Sequence, residues 1–200
     1  MPGGIFCIEN WSADLRSQDS VAPLLDFLDA HRGARVIRQR VLTATELELY
    51  LGRFSELKSY QVAYLALHGQ RGKVFVGNED IELERLVSRS NGANGAAAAP
   101  IDLSGKVLYL GSCGSLSVTR NRIRALRERT GAAAICGYTK HVDWYEAAAV
   151  EVMLLSTLAE AMNGSKGPSL ASAIRRLRRR GGTLVEDTLG FVCEPDWRPS

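Results

Sequence analysis

Residues 107–117, VLYLGSCGSLS, carry an apolar run into a cysteine, Cys113, set among Gly111, Ser112, Gly114 and Ser115. Neighbours this small let another chain's backbone approach the sulfur and let the Cys113 amide point outward. A second apolar run, VAYLALHG (62–69), ends in His68 and Gly69, 45 positions earlier (113 back to 68). A thiolate attacks a carbonyl carbon, and the amine that leaves a cleaved amide must then be protonated, a task suited to histidine. Each residue ends a run that reads as a buried parallel strand, and open α/β sheets bind ligands at the carboxyl ends of their strands. If the two strands are neighbours, Cys113 and His68 face one crevice.

The other candidates divide by context. His31 lies near the end of a helical segment, where a cation or a solvated ring is favoured. His141 falls between a strand and the helix that follows it, and is an alternative partner for the thiol. Cys7, Cys136 and Cys193 sit inside apolar, strand-like segments (GIFCIE, AAICGY, GFVCEP), which suits reduced core cysteines and a reducing cytoplasm. With no CxxC pair and only three histidines, zinc-ligand spacing is absent, so neither a metal nor a cofactor is expected. The cluster Arg175, Arg176, Arg178, Arg179 and Arg180 reads as a helix face near a C-terminal dipole, with a phosphate or partner contact as the alternative. It lacks the interleaved aromatics of a stacking platform, so nucleic acid is not the expected partner.

The elements that must position these groups alternate along the chain. Strands are predicted at 4–9, 34–42, 62–69, 106–113 and 132–138, and a last one at 182–194, broken at Asp187. Helices are predicted at 21–31 (closed by Gly33), 43–54 (capped by Thr43 or Thr45), 117–131, 143–162 and 167–182. KVFVG and DIELERL form a small hairpin or a strand and the start of a helix. SRSNGANGAAAAP (88–100) reads as a mobile surface loop, too short to separate two domains. The pattern predicts one α/β domain over 1–200, a mainly parallel sheet of about six strands covered on both faces. At 200 residues, 46% hydrophobic and with net charge +3, the chain suits a soluble globular protein whose charge alone points to neither nucleic acid nor membrane. It has no signal-peptide pattern and no apolar run of spanning length.

An apolar strand ending in His-Gly, then an apolar strand ending in Cys with small neighbours, resembles the caspase-like cysteine peptidases, in which His and Cys stand about 50 residues apart. The closest resemblance is to the bacterial CHAT and separase-like branch. HGQRGKVFVGNEDIELERL is similar to its His-Gly, hairpin and short helix; VLYLGSC to its strand-to-Cys; and AAICGYTKHVDWYEAAAVEVMLLSTLAEAM with SLASAIRRLRR to its closing loop and helices. The resemblance covers most of the chain and implies a three-layer caspase-like sandwich and a cysteine endopeptidase. Cys113 is then the nucleophile, His68 the proton-handling partner, and the N–H groups of Gly69 and Cys113 the oxyanion hole. Gly111-Ser112 replaces the Gln-Ala of caspases, so specificity for aspartate is not implied. The segment after Cys113 is expected to be a compact helix rather than a cleavable linker. In the separase-like relatives an acid in the loop after the next strand receives a basic P1 side chain, which points to Asp143 and cleavage after Arg or Lys. Asp143 also opens a capping-box-like D-x-x-E, and Glu9 or Asp14 is the alternative acid.

Two other functions fit the same residues. Gly111-Ser112-Cys113-Gly114-Ser115 also resembles the nucleophile elbow of amidotransferase-like or hydrolase folds, with His141 as partner. A caspase-like module that binds partners without catalysis is the third. The expected partners are a protein substrate and a regulatory protein or upstream protease, in a bacterial defence or stress pathway, with no membrane.

Overall fold

The computed structural model describes residues 3–10, 20–31, 34–88, 100–162 and 168–196. The greater part of the predicted loop, Asp14 and Gly33 lie outside them. Six strands form the central sheet in the order β2-β1-β3-β7-β8-β9. These are β1 (Gly4–Asn10), β2 (Arg35–Val41), β3 (Tyr60–Ala66), β7 (Val107–Leu110), β8 (Ala134–Tyr138) and β9 (Phe191–Glu194). The first five run parallel and β9 pairs antiparallel with β8. A separate three-stranded antiparallel sheet, β4 (His68–Gln70), β5 (Lys73–Val76) and β6 (Glu79–Glu82), follows β3 directly.

The apolar strand runs build two cores because successive side chains point to opposite faces. Phe6, Ile8, Ala63, Leu65, Leu108, Leu110 and Ile135 pack with Leu47, Leu51 and Phe54 of α2 (Ala44–Glu56) and with Ile123 and Leu126 of α4 (Arg120–Thr130). The small sheet adds Val74, Val76 and Ile81 to that layer, and α3 (Leu83–Leu86) adds Leu83 and Leu86. On the other face Ile5, Cys7, Val62, Tyr64, Val107, Tyr109, Cys136 and Tyr138 meet α1 (Ala22–Ala30), α5 (Trp144–Ala161) and α6 (Leu170–Thr183). The result is the expected three-layer α/β sandwich. Burying one such Leu, Ile or Val is worth roughly 1.5–3 kcal/mol, so both faces of every central strand contribute.

Helix starts follow their caps. Thr43 accepts from the Glu46 amide at 3.2 Å while the Glu46 carboxylate accepts from the Thr43 amide at 3.1 Å, a complete capping box. Thr119 caps α4, so that helix begins at Arg120 rather than at residue 117. The strand predicted at 106–113 stops at Leu110, so Cys113 lies three residues past β7 in a turn rather than closing the strand, and two other predicted strands depart further. β3 ends at Ala66, and His68 opens β4 instead of closing β3. In the predicted strand 182–194, residues Leu184–Thr188 form a π-helical turn and only Phe191–Glu194 is extended. The physical reason is spacing: Val185 and Leu189 are both buried four residues apart, a helical interval, while Gly182 and Gly190 take positive φ (51° and 58°) and bend the chain on either side.

Candidate active site

β3 and β7 are adjacent and in parallel register, with Tyr64 opposite Tyr109 and Leu65 opposite Leu110. Beyond the last pair the Gly111 amide still donates to the Leu65 carbonyl at 3.0 Å. The chain then turns through residues 112–116, which places Cys113, partly exposed, at the carboxyl edge of the sheet. The turn is fixed internally by the Ser112 hydroxyl, which donates to Ser115 Oγ at 2.8 Å. Gly114 at φ 55° reverses the backbone where a side chain would be strained. Helix α4 begins six residues beyond Gly114 (120 − 114). Cys113 therefore sits in a turn three residues past the end of β7 and seven before the start of α4.

The His-Gly segment is fastened to this turn from one side. The Gly72 amide, in the tight turn between β4 and β5, donates to the Ser115 carbonyl at 3.0 Å. A Cβ placed on Gly69 would lie 2.9 Å from Ser112 Cβ and 2.9 Å from the Lys73 carbonyl oxygen. The Gly69 backbone thus packs directly on the side chain of Ser112, the residue before the thiol. His68 is exposed.

The loop after β8 closes the other side. The Gly114 amide donates to the Lys140 carbonyl at 2.7 Å, and Leu116 donates to the Tyr138 carbonyl at 3.0 Å. The Cys113 sulfur donates weakly to the Val142 carbonyl at 3.7 Å, one residue short of Asp143. Oδ1 of Asp143 accepts from the amides of Tyr145 (2.9 Å) and Glu146 (3.2 Å), so the cap role is present. Asp143 is exposed and follows directly after Val142, whose carbonyl touches the sulfur. His141 belongs to the same loop and is also exposed. His31 is remote: it stacks on Phe27 at the end of α1, with ring centroids 4.4 Å apart.

The alternative acid Glu9 is already engaged. It is buried, receives Arg40 Nε at 2.8 Å and Arg38 Nε at 3.7 Å, and accepts from the Ser20 hydroxyl and the Val21 amide. Among the basic cluster, Arg178 is buried in pairs with Glu186 and Asp196, and Arg176 reaches Glu160 at 3.7 Å. These two are tied into the packing of α6. Among the described residues no group of His, Cys, Asp and Glu has the makings of a metal site.

Two features escaped the sequence reading. Trp144 and Tyr145 are 51% and 82% exposed directly after Asp143, at the opening of α5. Behind the turn lies a buried carboxyl. Glu151 of α5 accepts from the Tyr64 hydroxyl at 2.7 Å and bonds the Tyr109 hydroxyl at 2.9 Å, and Tyr109 bonds Tyr138 at 2.7 Å. Burial pushes the Glu151 carboxyl up from the usual 4.5 to about 7, against the lowering effect of the two tyrosine bonds. The signal for it was an acid at the core-facing spacing of α5, between Ala147 and Leu155.

Residues 3–164 match a family described only as a family of unknown function, DUF6642, and the chain belongs to that family. No curated protein matches it. Among the described residues no helix is long and apolar enough to cross a membrane.

Proposed function

We propose that this protein is a cysteine endopeptidase of the caspase-like kind that cleaves a protein substrate after Arg or Lys. The observation that carries the reading is the convergence, at the carboxyl ends of adjacent parallel strands, of His68-Gly69 and Cys113, joined by the Gly72–Ser115 bond at 3.0 Å and the Gly69–Ser112 contact. In this reading the Cys113 sulfur adds to the scissile carbonyl, and the N–H groups of Gly69 and Cys113 stabilise the oxyanion, each worth roughly 3 kcal/mol. The tetrahedral adduct collapses by breaking the C–N bond, and His68 gives the leaving amine its proton. Water then adds to the thioester, which releases the acid and restores the thiol.

Asp143 supplies the P1 preference, because its carboxylate stands one residue beyond the carbonyl that touches the sulfur. Trp144 and Tyr145 provide an apolar ledge beside it. Four free cysteines fit a reducing cytoplasm as the place of action.

The test is a positional peptide-library cleavage profile of the wild-type protein beside Cys113→Ala and His68→Ala. The expected result is cleavage after Arg or Lys, abolished in both variants with the fold intact, and retained in Cys7→Ala, Cys136→Ala and Cys193→Ala. Full activity in Cys113→Ala overturns the reading.

A further inference from the structure

The sheet row beneath the site is chemically unusual. Cys7, Tyr64, Tyr109, Cys136 and Cys193 stand opposite one another on successive strands β1, β3, β7, β8 and β9. All five side chains belong to the core under α5. Tyr64 and Tyr109 stack with ring centroids 5.1 Å apart, and Tyr138, two residues further along β8 than Cys136, meets Tyr109 edge-on at 6.1 Å. Glu151 enters this row from α5 and bonds both stacked tyrosines. Among the described residues no cation pairs with it. An apolar side chain there would be the less costly filling, because a buried carboxyl gives up its hydration for two hydrogen bonds.

The cluster adjoins the Cys113 turn at two points. A Cβ on Gly111 would lie 2.5 Å from Tyr64 Cε2 and 2.9 Å from Glu151 Oε1, so the backbone two residues before the thiol rests directly on the pair. At the other end of the chain of hydroxyls, the Tyr138 carbonyl holds the Leu116 amide, three residues after the thiol. The hydrogen bonds have two self-consistent settings, since each hydroxyl has one proton to give. With Glu151 ionised, Tyr64 and Tyr109 donate to it and Tyr138 donates to Tyr109. With Glu151 protonated, its O–H donates to Tyr109, and Tyr109 donates to Tyr138.

We propose that Glu151 is a positioning residue for the thiol: the proton it holds or releases resets the Tyr109–Tyr138 relay and the charge beneath the Cys113 turn, and so adjusts how readily Cys113 reacts. The inference rests on the reading of Cys113 as the reactive nucleophile. The titratable groups facing Glu151 are Cys7 on β1, Tyr64 on β3, Tyr109 on β7 and Tyr138 on β8, with Cys113 beyond Tyr138. Burial first, then the Glu151 carboxylate, holds each of the three tyrosines well above its ordinary range, and Cys113 also raises Tyr138. Burial, followed by Glu9 and Glu151, does the same for Cys7. In the neutral range Cys7 and the three tyrosines stay protonated, which leaves Glu151, raised to about 7, as the member of this buried row that changes charge there.

The test is the rate of Cys113 alkylation by iodoacetamide from pH 5 to 9.5, read by peptide mass mapping so that each cysteine is followed separately. An ionised Glu151 beneath the Gly111 backbone disfavours negative charge on the Cys113 sulfur, so wild type shows an inflection near neutral pH that follows the carboxyl. Glu151→Gln removes that inflection and speeds alkylation at pH 8 by about fivefold, the effect of one charge at intermediate distance and dielectric. Tyr64→Phe takes one donor from the carboxylate and moves the inflection to higher pH; a residue that only fills space would not move it. Profiles of both variants that superimpose on wild type overturn the inference. Alkylation needs no peptide cleavage: an inactive protein with a shifted profile discards the peptidase and keeps Glu151, whereas an active one with an unshifted profile does the reverse.

Discussion

Gly69 and Ser112 touch so closely that a methyl group on Gly69 would stand 2.9 Å from Ser112 Cβ, with the Lys73 carbonyl oxygen equally near on its other side. One contact is backbone and neither is the end of a flexible chain. Gly69→Ala should therefore push the His68 segment away from the Cys113 turn, an overpacking cost of about 1–3 kcal/mol. Gly52→Ala is the control, because nothing lies within 4 Å of its Cβ position in α2; it should gain about 0.5–1 kcal/mol from helix propensity. Urea denaturation gives both stabilities, and kcat/KM on an Arg peptide should fall in Gly69→Ala alone.

The two loops that flank the thiol each offer a histidine, and substitution separates them. General acid catalysis is worth about 10²- to 10⁴-fold, so His68→Ala should lose at least that much in kcat, enough to take cleavage below detection in the library profile. His141→Ala should stay close to wild type. The reverse ranking, measured under single-turnover conditions, would move the proton-handling role to the loop after β8.

Much of this arrangement was legible from residues 62–69 and 106–113, because strands buried on both faces show as apolar runs and their ends declare the loops. Their adjacency is a property of register, which a single sequence does not state. His68 was misplaced by two residues for a local reason: Leu67 is apolar and buried yet lies between strands, so the run looked longer than β3 is. The strand predicted at 182–194 failed where the buried spacing of Val185 and Leu189 is helical. Glu151 was the hardest to see. Its partners Tyr64 and Tyr109 lie 87 and 42 residues away, and only the sheet brings them together.

Asp143 has two assignable roles that isosteric substitution can divide. Its Oδ1 already accepts two amides of α5, and Asn caps a helix about as well as Asp. Asp143→Asn should leave the thermal midpoint unchanged and lower cleavage after Arg by orders of magnitude, because the basic side chain loses its charged partner. Asp143→Ala should add a stability loss of roughly 1 kcal/mol from the missing cap. Unchanged P1 preference in Asp143→Asn would leave the residue a cap alone, and cleavage after Asp in wild type would remove the acidic pocket.

The buried carboxyl also sets how stability depends on pH. In the folded protein Glu151 holds its proton up to about 7, whereas the ordinary value is 4.5. Between these values the native state keeps a proton that the unfolded chain has released, so stability is highest below the lower value and falls as pH rises to the upper one. The loss is roughly 3–4 kcal/mol, from about 2.5 pH units at about 1.4 kcal/mol each, and the curve is flat again above neutral pH. The lowered carboxyls work in the opposite direction and at more acidic pH. Glu84 is held down first by its bond to Arg122 and Asp102 by its bonds to Ser104, and exposure to solvent keeps their contribution small. Glu151→Gln has no proton to lose, and its amide can accept from one tyrosine while donating to the other. It should come closest to wild type at about pH 4.5 and below and exceed it by up to roughly 3–4 kcal/mol at pH 8. Chemical denaturation of both proteins at half-unit steps from pH 4.5 to 8.5 measures the difference directly. Parallel curves would mean that Glu151 stays ionised in the fold throughout, with the two tyrosines alone compensating its burial.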